Sequence, residues 1–287
     1  MPAQTIFFVG DKLHASQSAA SIHSVSSTEN GYNMHAVRDT SWKDAWKPVN
    51  GTADEYLQID GGSAGWLGTT GGDPIHWAIA YDARGADQTL IKVNQDAADA
   101  VGGAFVTIKG TFATLGTNRP TEDYLSFLLT GGGKRYYRVY QFNADRGGGT
   151  KTVPIYAIAV FTATEVHIID TEYLGNSPGP GEYGLGANVG LAESAGGMEE
   201  SNVNGPPYQE VEINFGRATQ ALWDAITSHY MTWNNGSARP IWLQYEGLYN
   251  DVKADFAMVR QMNFASRRPQ KDQYDTRLQF RTVGKPI

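Results

Sequence analysis

The 287-residue sequence contains no cysteine. Disulfides, thiolate metal sites and cysteine nucleophiles are excluded together. The absence also points to folding in a reducing compartment, because secreted modules of this size often carry a disulfide. Charge is sparse, at 18% Asp, Glu, Lys and Arg, and the only paired cations noted are Lys134-Arg135 and Arg267-Arg268. With a net charge of −7 the chain lacks the clustered cations that neutralise phosphates, so no nucleic-acid partner is expected. Long apolar runs are missing as well. Nothing approaches the roughly 18–20 residues that span a bilayer. Thr5-Ile6-Phe7-Phe8-Val9 is too short for the core of an export signal, so neither secretion nor membrane insertion is expected.

Glycine, by contrast, is abundant. The 33 glycines and 41% hydrophobic residues favour turn-rich β structure around a sizeable core. Strand patterns cover Glu55–Asp60, His76–Asp82, Ala104–Lys109, Tyr124–Leu129, Arg135–Phe142 and Pro154–Thr162, with Val166–Ile169 a further candidate. Between them lie Gly102-Gly103, Gly131-Gly132-Gly133 and Gly147-Gly148-Gly149, where positive φ is easily adopted and hairpin loops are expected. Residues 175–208 show no readable period and are expected to form a Gly/Pro-rich connecting arm.

One helix is expected from Ala218 to Trp233. Its apolar stripe runs through Ala221, Leu222, Ala225, Ile226, His229 and Tyr230, and Asn234-Asn235-Gly236 stops it. Strands are expected at Arg239–Glu246, Ala254–Phe264 and Tyr274–Val283. The last alternates, with Leu278 and Phe280 on one side and Arg277, Gln279 and Arg281 on the other. The fold class is therefore mainly β, an antiparallel jelly-roll sandwich followed by a smaller α+β unit. The expected divisions are residues 1–174, 175–208 and 209–287. Residues 1–25 fit either the sandwich or the C-terminal sheet.

Catalytic motifs fail on context. Gly61-Gly62-Ser63-Ala64-Gly65 has the form of a nucleophile elbow, but Trp66-Leu67-Gly68-Thr69-Thr70-Gly71-Gly72 follows instead of a helix. Gly179-Pro180-Gly181-Glu182-Tyr183-Gly184 has the dinucleotide-loop spacing without a strand before it or a helix after it. His14, His23, His35, His76, His167 and His229 show no metal-ligand spacing, so no metal and no cofactor are expected. Neighbouring acids such as Glu122-Asp123, Glu199-Glu200 and Glu210/Glu212 read as solvated surface, though a glycan-cleaving enzyme needs two carboxylates across a cleft. Asn50-Gly51-Thr52 and Asn235-Gly236-Ser237 read as turns.

The tryptophans remain. Trp42, Trp46 and Trp66 sit in or beside loops with polar neighbours, as sugar-stacking aromatics do, and are the candidate ligand-binding residues. The alternative for Trp42 and Trp46 is that they plug one end of the sandwich. Trp77, Trp223 and Trp242 lie on patterned elements and are expected in the core.

Residues 30–170 resemble the discoidin domain of the galactose-binding-like sandwiches. The likeness lies in Ala36-Val37-Arg38-Asp39 leading to Trp42 and Trp46, in Glu55-Tyr56-Leu57-Gln58-Ile59-Asp60, and in Lys134-Arg135-Tyr136-Tyr137-Arg138-Val139-Tyr140. It implies an eight-stranded jelly roll that binds glycans or lipid headgroups through loops at one end. Residues 208–287 resemble the terminal part of bacteriophage distal-tail or minor-tail proteins, through Ala221-Leu222-Trp223, Ala238-Arg239-Pro240-Ile241-Trp242-Leu243 and a strand through Tyr274, Leu278 and Phe280. That resemblance implies a non-enzymatic structural protein of a virion tail tip or baseplate, folded in the host cytoplasm. Its partners would be copies of itself in a homo-oligomeric ring, other tail proteins and a surface glycan. A carbohydrate-binding, lectin-like module without catalysis is the alternative, and a glycan-cleaving enzyme the second.

Overall fold

A computed structural model describes residues 5–8, 11–14, 21–39, 41–49, 55–61, 75–82, 89–96, 106–109, 124–129, 135–143, 152–161, 166–169, 184–193, 199–232, 239–244, 256–270 and 273–282. It is mainly β, with antiparallel pairing and few helices. The chain divides into two compact units, one of Gly10–Val166 and one of Met1–Val9 with His167–Ile287.

After β1 (Thr5–Phe8), which belongs to the second unit, the first unit contains β2 (Ser21–Val25), β3 (Glu55–Asp60), β4 (Ile75–Tyr81), β5 (Thr89–Asp96) and β6 (Val106–Lys109). It continues with β7 (Tyr124–Leu129), β8 (Tyr136–Asn143) and β9 (Ile155–Phe161). A five-stranded sheet ordered β2-β3-β8-β5-β6 packs on a three-stranded sheet ordered β7-β4-β9, so the described residues of this unit hold eight strands, the number that the discoidin-like resemblance implies. One core joins the sheets: Leu57, Ile59, Val93 and Val139 from the first meet Trp77, Ile79, Ile158 and Val160 from the second, all at most 1% exposed. Each such side chain contributes about 1.5–3 kcal/mol by leaving water.

The outer edge of β9 is not left open. Val160 donates its N–H to Asp11 Oδ1 at 2.9 Å and accepts from Lys12 N at 2.9 Å, while Ile155 and Trp46 exchange both main-chain bonds at 2.8 Å. An uncovered edge would template association, and segment 11–14 removes that hazard. Between β2 and the 3-10 turn Met34–Arg38, Tyr32 N returns to Glu29 O at 3.2 Å. Gly31 sits at the third position of that turn with φ 91°, where a side chain would be strained.

The second unit contains β1, β10 (Val166–Ile169), β11 (Gly184–Glu193), β12 (Glu199–Thr219), α1 (Gln220–Thr232), β13 (Ile241–Gln244), β14 (Phe256–Gln270) and β15 (Gln273–Thr282). Its seven strands form one sheet ordered β10-β1-β13-β14-β15-β12-β11, and α1 packs on β12 and β15. Leu278 and Phe280 are buried while Gln279 and Arg281 are half-exposed, as alternation requires. In α1, Ile226 is buried; Ala221 is exposed, and Trp223 is half-buried rather than in the core.

These units differ from the divisions expected from the sequence. Thr5–Phe8 pairs with β13, with Phe7 opposite Leu243, so the N-terminal strand joins the C-terminal sheet. Val166–Ile169 lies beside it and not in the sandwich. Residues 184–193 and 199–208, expected within an unpatterned arm, lie in a β-hairpin. Alternation is hidden there by glycine and by a bulge: Tyr208 faces Gly186, the next pair is Gly205 with Asn188, and Pro206 and Pro207, which lack N–H groups, are left out of the ladder.

Candidate functional site

Trp46 is fully enclosed, and its Nε1 donates to Ser27 O at 3.1 Å. Trp42 is 3% exposed and meets Tyr124 edge-on at 5.5 Å and Tyr156 at 5.0 Å between ring centroids. Ala78, Ala80, Ala157 and Ala159 are buried in the same three-stranded sheet, and such small side chains let covering segments approach closely. Neither indole offers a face to a ligand. Both close the sandwich, which corrects their assignment as ligand-binding residues in favour of the plug reading. Trp66 lies outside the described residues, as do the motifs of residues 62–72 and 179–183.

Around Trp46 the polar groups brace turns. Ser27 Oγ donates to Glu55 Oε2 at 2.6 Å and accepts from Val49 N at 3.1 Å; Ser26 Oγ also donates to Glu55 and accepts from Tyr56 N at 2.8 Å. Lys47 Nζ reaches Glu29 Oε2 at 2.6 Å and lies 5.7 Å from the Tyr32 ring centroid. His76 is sealed inside the three-stranded sheet between Leu128 and Phe161, and burial pushes its pKa down to about 3. It is a neutral core residue with no access to a solvent-borne substrate. Among the described residues no group of His, Asp and Glu could hold a metal ion, and no helix is long and apolar enough to cross a membrane.

The face of β3 and β8 turned away from the shared core carries a connected set of polar and planar side chains, of which Gln58 and Tyr136 are buried. Register pairs Tyr56 with Tyr140, Gln58 with Arg138 and Asp60 with Tyr136. The Arg138 guanidinium lies 4.3 Å from the Tyr56 ring centroid, donates from Nε to Gln58 Oε1 at 2.8 Å and reaches Tyr140 Oη at 3.3 Å. Arg135 grips Asp60 with two bonds of 2.8 Å and covers the Tyr136 ring at 4.8 Å. Rings, guanidinium and amide are tied to one another here, an arrangement that braces the β3–β8 pair. The readable signal was the alternation Tyr56/Gln58/Asp60 and Tyr136/Arg138/Tyr140.

No protein-family model and no curated protein matches the chain. Among solved structures, it is similar to chitosan-binding module 1 of a chitosanase/glucanase from Paenibacillus sp. IK-5, with 17% identity, 50% of this chain and 93% of that one covered, and a TM-score of 0.33. The family 32 carbohydrate-binding module of Streptococcus pneumoniae EndoD gives 13%, 53%, 99% and 0.35 in the same order. Chitosan-binding module 2 of the Paenibacillus enzyme, solved with chitotriose, gives 15%, 50%, 95% and 0.34. At these identities and scores the likeness assigns this chain neither ligand nor activity.

Proposed function

We propose that the chain is a non-catalytic structural protein of a phage tail tip or baseplate, in which the seven-stranded unit assembles into a ring and the sandwich is displayed to contact a surface glycan. One observation carries this reading. The sandwich, Gly10–Val166, is spliced into the other unit between β1 and β10, which are neighbours in a single sheet. An insertion of this kind makes the sandwich a passenger of a host sheet, as domain insertion between close ends allows. A module acting alone has no need of such a host. The host unit supplies the long strands β12, β14 and β15, which supports a role in docking. Immunogold labelling of tailed particles from the source culture, with an antibody to this chain, should place gold at the tail end. Absence from every particle overturns the reading.

A second reading, a carbohydrate-binding module with no assembly role, is favoured by the eight-stranded sandwich having a core of its own. Under it the full chain binds an oligosaccharide as a monomer, and Trp66→Ala removes the binding. Unchanged binding by that variant refutes the role of Trp66.

A further inference from the structure

The seven-stranded sheet separates charge along its length. Residues 184–210 hold Glu193, Glu199, Glu200 and Glu210 with no Lys or Arg, a net charge of −4. Residues 256–282 hold Arg260, Arg267, Arg268, Lys271, Arg277 and Arg281 against Asp272 and Asp275, a net charge of +4.

The register places Glu193, Glu199 and Glu200 at one end and Arg267 and Arg268 toward the other, while Glu210, opposite Arg281, which is in turn opposite Arg260, lies between them. β12 pairs with β15 only from Glu210, opposite Arg281, to Thr219, opposite Gln273. Upstream of Glu210 its partner is β11, so among the described residues β11 and β12 run past the end of β15 as a two-stranded ribbon. The ribbon tip has Glu193 directly opposite Glu199 and Ala192 opposite Glu200. Arg267, opposite Asp275, and Arg268 lie toward the other end, level with the stretch of β12 just before Thr219. At ~3.3 Å per residue the span from Glu199 to Thr219 is roughly 60 Å. That is several times the ~8–10 Å screening length, so Glu193, Glu199 and Glu200 cannot neutralise Arg267 and Arg268 of the same copy.

Two features leave the ribbon needing a partner. Like charges facing each other across strands are destabilising, and an isolated two-stranded ribbon is marginal in water. A matching surface exists on the same chain. β14 pairs with β13 only through Val259, opposite Ile241, so along residues 260–270 its one partner among the described residues is β15.

We propose that the acidic β11–β12 ribbon of one copy docks along the 260–270 edge of β14 in a second copy. This deepens the assembly reading above and rests on it. The contact is heterologous, joining one end of the sheet to the other, so it propagates and yields a ring when the rotation closes. Opposite net charge on the two surfaces sets the direction and disfavours ribbon-to-ribbon contact.

Sedimentation velocity on the full chain, with the Glu199→Lys/Glu200→Lys and Arg267→Glu/Arg268→Glu variants, tests it. The wild type should form oligomers at about 50 mM salt and dissociate at about 500 mM, with the apparent Kd rising at least ~10-fold. Each charge-reversed variant alone should stay monomeric at low salt. An equimolar mixture of the two should assemble, because each reversed surface then meets its complement. Wild-type oligomers that ignore salt and both reversals overturn this docking while leaving the assembly reading standing. A wild type that is monomeric at every concentration overturns both. Thermal melts confirm folding, and Glu193→Lys replaces the ribbon pair should that variant melt early; its assembly as wild type overturns the proposal equally.

Discussion

Replacing Trp46 with alanine should destabilise the sandwich by about 3–5 kcal/mol, the usual cost of deleting a buried aromatic. The upper half of that range is expected here. The side chain is fully enclosed, so its whole area returns to a cavity, and Ser27 O loses the indole bond of 3.1 Å. Trp46 also sits where its main chain seals the edge of β9 through both bonds to Ile155, so collapse around the cavity would strain that bridge. Trp46→Phe keeps most of the volume and loses the N–H, and should cost about 1–2 kcal/mol. For a unit of this size each kcal/mol lowers Tm by ~2–4 °C, so the alanine variant should melt roughly 8–20 °C below wild type. Urea denaturation followed by far-UV circular dichroism supplies the free energy, and calorimetry the Tm. A stability within about 1 kcal/mol of wild type, with a loss of sugar binding, would refute the core assignment and restore Trp46 as a ligand residue.

Gln141→Leu should cost about 2–4 kcal/mol in urea titrations, because the buried amide satisfies both Val153 N (2.9 Å) and Val153 O (3.0 Å) and the leucine satisfies neither. His76 predicts acid sensitivity. Its folded pKa of about 3 lies below the ordinary 6.5, so protons favour the unfolded chain; stability is full above pH 6.5 and declines as pH falls toward 3. His76→Leu should flatten that slope in denaturation curves between pH 7 and 4, and an unaltered slope would assign the loss to other groups. Arg135→Lys keeps the charge but not the two-pronged grip on Asp60, and at a partly exposed site should cost only about 0.5–1 kcal/mol, shrinking with added salt. A loss of several kcal/mol in that variant would mean the pair does more than close a surface corner.

Side-chain period and turn chemistry were readable wherever one face of a strand is buried. Glu55–Asp60 and Tyr124–Leu129 fall where their patterns place them, and a helix forms over 220–232 with Ile226 of the apolar stripe buried, while Ala218 and Thr219 belong to β12. Thr89–Asp96 was missed: Lys92, Asn94 and Gln95 dilute the apolar set of Leu90, Ile91 and Val93, although the strand pairs with β8 along its full length. The ribbon of β11 and β12 was missed for a different reason. Its glycines and prolines carry turn statistics, and main-chain pairing overrides them.

The sequence by itself determined the β-rich class, the exclusion of thiol chemistry and the alternation that makes each strand two-faced, because these depend on composition and on neighbours along the chain. Tertiary structure alone decided that Thr5–Phe8 sits between strands from residues 166–169 and 241–244, that Trp42 and Trp46 point into the core, and that acidic and basic hairpins occupy opposite ends of one sheet. Strand order and burial come from contacts between residues far apart in sequence, and local periodicity carries no record of which distant segment closes each edge.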